Sequence, residues 1–118
     1  MYKKVQQEYI MRRVETVVCD IINSAQDVQT TKHNDVTPSL LYDNSKKCTS
    51  AVSLARQFVF MVLHDSFGFS YKQISHRSKM RETSIMKCVR KVRTLIFIDT
   101  VYSTINRLVV DALKDGLL

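Results

Sequence analysis

The chain has 118 residues, 45% of them apolar, and a formal net charge of +7 at neutral pH. That is the size of a single domain, spanning 1–118, with enough apolar material for its own core. It contains no apolar run long enough to span a bilayer, and the charged stretch Met1 to Arg13 does not read as a secretory leader, so neither is expected.

Two Gly and one Pro leave little material for strands and hairpins, so the expected fold class is all-α. Val14, Val17, Val18, Ile21, Ile22 and Ala25 recur at i, i+3, i+4, i+7, i+8 and i+11, the stripe of a helix that can begin near Lys3. Upstream, Tyr2, Val5 and Tyr9 read either as more core cover, the favoured reading, or as a partner-binding stripe. The polar stretch from Asp27 to Asn34 predicts a loop. Pro38 then fits the first turn of a short helix through Tyr42, with Thr37 as its cap. Asp43 to Ser50 is polar and basic, an exposed connection.

The run Phe58 to Leu63 is apolar on every side, which places the helix from about Val52 to Phe67 at the centre and lets Gly68 stop it. Ser70 and Gln73 form an S-x-x-Q capping box that opens a short helix carrying Ile74 inward. A turn around Ser78 to Met80 leads to a longer helix with the stripe Ile85, Cys88, Val89, Val92, Leu95 and Ile96. The last helix carries Val101, Ile105, Leu108, Val109, Ala112 and Leu113 and is expected to end at Gly116. The architecture that follows is a compact helical bundle holding a helix-turn-helix at about 70–97, with added N- and C-terminal helices.

Between Ser70 and Arg93 eight Lys and Arg residues face one acid, Glu82, so this window alone carries +7 while the rest of the chain sums to zero. Charge concentrated in this way is the footprint of a polyanion partner. A helix-turn-helix needs a small residue where its helices cross and apolar residues that lock them, and Ser75, Ile74, Met80, Ile85 and Cys88 stand at those positions. Lys79 occupies the turn position that usually calls for Gly. The exposed face of the second helix is then Arg81, Glu82, Thr83, Met86, Lys87 and Arg90, the expected readers of DNA bases. Arg81 and Lys87 can donate to guanine, Glu82 can accept from cytosine, and Thr83 and Met86 can touch a thymine methyl. Lys72, Arg77, Lys79, Ser84, Lys91 and Arg93 are expected to hold phosphates. Read blandly, the same helix is a solvated basic face.

Several of these segments resemble the C-terminal DNA-binding domain of the bacterial replication initiator DnaA, a Trp-repressor-like helical domain. Ser45-Lys46-Lys47, Ala55-Arg56-Gln57, Gly68-Phe69-Ser70 and Gln73-Ile74 stand in the family's order, ungapped from Ser45 to Ser70. Thr83-Ser84, Ile85-Met86 and Arg90-Lys91-Val92 look like its later motifs. The resemblance implies double-stranded DNA binding in replication or transcription control of a bacterium, phage or mobile element, and it adds Lys46, Lys47, Arg56 and Gln57 to the backbone contacts. It also departs from the family. The turn before Thr83 is one residue shorter, the Arg-Asp-His that reads bases in the family becomes Met80-Arg81-Glu82 or aligns as Arg81-Glu82 with one position lost, and a minor-groove arginine falls on Cys48. A different target sequence is therefore expected. No phosphate-binding loop of the G-x-x-x-x-G-K-[ST] type is present, so no nucleotide or ATPase activity is expected either. Ser70-Tyr71 and Ile74 also look like the promoter-reading domain of sigma factors, a similarity that stops at Gly68.

Cys19, Cys48, Cys88, His33, His64 and His76 lie outside the spacings that bind zinc, so reduced, structural thiols and no metal or other cofactor are expected. His64 and Asp65 are neighbours on a helix and point apart, which argues against a catalytic dyad, and no enzyme activity is expected. His76 fits a phosphate contact or an ordinary surface histidine. The expected setting is the cytoplasm, on the nucleoid, with no membrane partner. The long terminal helices also suit a homodimer, and a competing reading makes the chain an interaction module whose basic helix docks an acidic protein.

Overall fold

Gln57 to Leu63 form seven consecutive buried residues, an arrangement open only to a helix covered on all sides. The computed structural model describes residues 3–25, 36–43 and 50–117, without the side chains of 25 and 115–117, and among them every element is a helix. In chain order these are α1 (Lys4–Ala25), α2 (Pro38–Leu41), α3 (Ser50–Asp65), α4 (Tyr71–Ser78), α5 (Glu82–Ile98) and α6 (Thr100–Leu117). The buried helix is α3. Helices α1 and α5 cover it along most of its length, α2 and α4 complete the cover, and α6 packs across α1 and α5. The all-α expectation is met.

Local chemistry sets most of the boundaries. Gly68 adopts φ 74, a left-handed conformation that side chains resist, and the Phe69 N–H turns back to the Leu63 carbonyl at 3.0 Å. The His64 ring closes the same corner: its Nδ1 lies 2.8 Å from the Phe69 carbonyl, so it carries the proton there, and the ring stacks on Tyr71 at 4.0 Å. The capping box at α4 is complete, with Gln73 N–H on Ser70 Oγ at 3.1 Å and Ser70 N–H on Gln73 Oε1 at 2.9 Å. Thr37 stands at the N-cap of α2, but its hydroxyl pairs with Ser39 and makes no cap bond. At the start of α6, Asp99 Oδ1 accepts from the N–H groups of Val101 and Tyr102, a cap the apolar periodicity does not reveal.

Polar clasps then fix how the helices sit. The Asn23 amide bonds both ways with the Val36 backbone, tying α1 to the entry of α2. Glu15 lies on the buried side of α1, 3% exposed, yet it is fully engaged. Arg77 of α4 donates to its two oxygens at 2.6 and 2.8 Å and to Glu8, one heptad earlier on α1, at 2.7 Å. The Tyr42 hydroxyl donates to Glu15 at 2.7 Å. Burial beside this carboxylate pushes the Tyr42 hydroxyl far above its ordinary range, so it stays a donor at all physiological pH.

Two stripe expectations and one helix end are corrected. Val5 and Tyr9 are not core: they are 82% and 54% exposed, because the α1 surface that meets its neighbours carries Ile10, Met11 and Val14 instead. Tyr2 lies outside the described residues. On α6 only Ile105, Val109 and Leu113 are buried among the described residues, while Val101 and Leu108 stay exposed at the flank of the contact. That helix also runs through Gly116 to Leu117, since one Gly costs about 1 kcal/mol of propensity, too little to end a helix already packed. The loops expected at Asp27 to Asn34 and, apart from Asp43 and Ser50, between those two residues lie outside the described residues.

Removing Arg77 leaves Glu15 charged, buried and without its cation, so Arg77→Ala should cost about 3–5 kcal/mol in urea unfolding, whereas the paired replacement Glu15→Leu/Arg77→Leu should recover most of it. In the turn before α5, Lys79 holds φ 60, so Lys79→Gly should raise stability by about 0.5–1 kcal/mol in the same assay.

Candidate nucleic-acid interface

Helices α4 and α5 are joined by three residues, 79–81, and the joint is built from serines. Ser75 Oγ donates to the Met80 carbonyl at 2.5 Å, and the buried Ser78 Oγ accepts from the Met80 N–H at 3.3 Å. Lys79 makes the left-handed residue of the turn, its N–H returning to the Ser75 carbonyl at 2.8 Å. Ile74 seats α4, and Ile85, Val89 and Val92 seat α5, all of them in the core. Met80 and Cys88, expected inside, are half-buried against that core.

With that stripe inward, the opposite side of α5 faces solvent. Thr83, Lys87, Arg90, Lys91 and Thr94, at i, i+4, i+7, i+8 and i+11, are all exposed and form one face without an acid. Glu82 and Arg81 are exposed at its leading end, and Met86 and Ser84 are half-buried on its two flanks. Phe97 and Ile98 continue the same face at the far end, Phe97 at 87% exposure. Arg81 stands at the N-cap of α5 and supplies no side-chain cap, so the first N–H groups of this helix point outward without a side-chain acceptor, unlike those of α4 and α6.

The expected phosphate contacts divide into two groups. Lys72, Lys79 and Lys91 are exposed and pair with no acid among the described residues. Others are engaged within the fold. Arg77 is bound to Glu15 and Glu8 and cannot hold a phosphate without leaving a buried charge behind. Arg93 makes a two-pronged pair with Asp65 at the end of α3. Arg56 is half-buried and donates to the Leu41 carbonyl. Gln57 is buried, receiving a bond from the Tyr102 hydroxyl at 3.0 Å and giving one to Ser53 at 3.2 Å. It ties α6 to α3 and is not a DNA contact. Lys46 and Lys47 lie outside the described residues.

Glu15 and Thr94 are what periodicity overlooks here. A lone acid inside the stripe around Val14, Val17 and Val18, one heptad after Glu8, is the signal that an arginine elsewhere must meet it. Lys91 belongs to the outward face of α5 together with Thr94, which extends that face beyond Arg90.

Burial raises the Cys19 thiol to about 12, with Asp20 and Glu15 adding to the effect, and burial also raises Cys88 despite Arg56 and Lys91 nearby. Neither is an activated thiolate. Among the described residues no three His, Cys, Asp or Glu side chains gather in a metal-binding group, and no helix is long and apolar enough to cross a membrane.

The chain matches no known protein-family model, no curated protein and no solved structure.

Hydrogen bonding and charge from Arg93 hold the Asp65 carboxyl below its ordinary value, with burial opposing in part. A carboxylate lowered on folding stabilises above its unfolded pKa and loses that contribution as pH falls through the folded value. Asp65→Asn should therefore lower stability by no more than about 1 kcal/mol near neutrality, and the gap from wild type should close below about pH 4 in parallel urea titrations.

Proposed function

We propose that the protein binds double-stranded DNA, with α4 and α5 acting as a helix-turn-helix and the N-terminal half of α5 entering the major groove. The observation that carries this reading is the division of the basic residues in the window Ser70 to Arg93. Arg77 and Arg93 are neutralised within the fold, while Lys72, Lys79, Arg81, Lys87, Arg90 and Lys91 face solvent with no acid paired to them among the described residues. Six unpaired cations crowded onto one short helical unit repel one another, an arrangement that a polyanion relieves.

Roles follow from position. Arg81, Glu82 and Thr83 lead the helix and Lys87 lies one turn on, where side chains reach base edges, while Met86 can cover a thymine methyl at the flank. The uncapped N–H groups at the start of α5, with Ser84 beside them, suit a phosphate. Lys72, Lys79 and Lys91 border the face and suit the strands on either side, and Arg90 sits between the two sets. The resemblance to the DnaA C-terminal domain supports the same docking on the residues already quoted, and the altered base-reading positions Met80-Arg81-Glu82 support a preference for another sequence. Control of replication or transcription, without nucleotide hydrolysis, is the role that such binding would serve.

Fluorescence anisotropy on duplex DNA tests this. Affinity should fall linearly with the logarithm of salt, and Lys91→Ala should weaken all duplexes alike and reduce the slope by about one. Arg81→Ala should instead cost about 1–3 kcal/mol on the preferred site, found by selection from a random duplex library, and relax preference at one position. No duplex binding at physiological salt would reject the reading, and an acidic protein held by the α5 face would then take its place.

A further inference from the structure

An open groove of about 1520 Å³ runs between the first turns of α1 and the outer side of α4, and no residue of α5 lines it. It is larger than most small-molecule sites, which span roughly 300–1,000 Å³, and suits a length of polypeptide. Its α1 wall presents Val5 and Tyr9 one turn apart, both exposed, with Met11 buried below. Lys4, Arg13 and Lys72 stand around these apolar groups and pair with no acid among the described residues. Among the described residues the one acid in the lining, Glu8, is already held by Arg12 and Arg77.

We infer that this groove docks an acidic amphipathic helical segment of a partner protein, its apolar side chains on Val5, Tyr9 and Met11 and its carboxylates on Lys4 and Arg13, with Lys72 at the rim left to the DNA backbone. Two large apolar side chains at i and i+4 match a helix laid in a groove, whose own anchors recur at i, i+3, i+4 and i+7. Charge complementarity chooses among occupants. A nucleic-acid strand would satisfy the cations but leave Val5 and Tyr9 largely uncovered. A second copy docked through the same face would set Lys4, Arg13 and Lys72 against their own counterparts. An acidic helix with an apolar face satisfies both parts of the lining. Because the site shares no residue with the outward face of α5, a protein held there can be carried while that face is engaged.

The test uses the full chain and a fluorescein-labelled synthetic helical peptide with Glu on its polar face and Leu at i, i+3, i+4 and i+7. The Glu/Leu peptide should bind, and versions with Lys for Glu or Ser for Leu should bind at least about tenfold more weakly, the loss expected when anchors of either kind are removed. Tyr9→Ser and the double variant Lys4→Ala/Arg13→Ala should each weaken the peptide by about fivefold or more with the melting temperature little changed, since Tyr9 and Lys4 are exposed and the half-buried Arg13 pairs with no acid among the described residues. Lys87→Ala should leave peptide affinity unaltered, and duplex DNA should not displace the peptide. The inference is overturned if the Glu/Leu peptide fails to bind, if its Ser version binds equally, or if Tyr9→Ser has no effect. It is overturned as well if Lys87→Ala and duplex DNA both abolish the complex, which would place the peptide on α5. Loss of duplex affinity in Lys4→Ala/Arg13→Ala with peptide binding intact would assign the groove to a DNA strand. Failure of duplex binding alone leaves the peptide result readable.

Discussion

Glu15 is a carboxylate that has been taken almost entirely out of water, and a buried charge persists only where cations and donors replace its hydration. Arg77 supplies the cation in a two-pronged grip, and Tyr42 supplies a further donor. These three residues come from α1, α4 and the end of α2, elements that a sliding apolar contact would leave free to rotate. Geometry at this charged cluster tolerates little movement, because a planar guanidinium meets both carboxylate oxygens along fixed directions. The position of α4 depends on it, while α5 is seated on α3 through Ile85, Val89 and Val92.

Four of the acids are placed where they hold structure. Glu8 and Glu15 hold Arg77, Asp65 holds Arg93, and Asp99 caps α6. What remains unpaired on α4, α5 and the turn between them is a set of lysines and arginines at solvent-facing positions. Arg77 and Arg93 are clasps between helices, and each free cation of this window lies on a rim or an outward face. The strongly charged window is therefore two populations with different work. The same logic runs at the α1–α4 groove, where Glu8 is occupied and Lys4, Arg13 and Lys72 are not.

Several elements are legible in the residues because their causes are local. The S-x-x-Q at Ser70 forms its box through bonds three residues apart, and Gly68 stops a helix through its own φ. An apolar run on every side, as at Phe58 to Leu63, requires burial wherever the helix goes. The inward stripe of α5 and the exposure of Arg81, Thr83 and Lys87 follow from periodicity in the same way. Gln57 and Arg77 were not legible. Each is a polar side chain whose neighbour lies 45 or 62 residues away, and no spacing along the chain announces that partner. Val5, Tyr9, Val101 and Leu108 fail for a related reason. An apolar residue of an amphipathic helix joins the core only if it lies on the face that another helix covers, and spacing alone does not say how wide that cover is.

Periodicity, capping chemistry and the uneven placement of charge by themselves determined an all-helical chain, its central helix, the helix–turn–helix order near its C-terminal half and the concentration of positive charge there. These are properties of neighbours, at distances set by the backbone. Only the tertiary structure decided which cations are free, which polar groups are sealed inside, and that a groove between α1 and α4 brings Val5 and Tyr9 beside Lys72. Such outcomes depend on which surfaces meet across long separations, where burial makes a charge find a partner or stay in water.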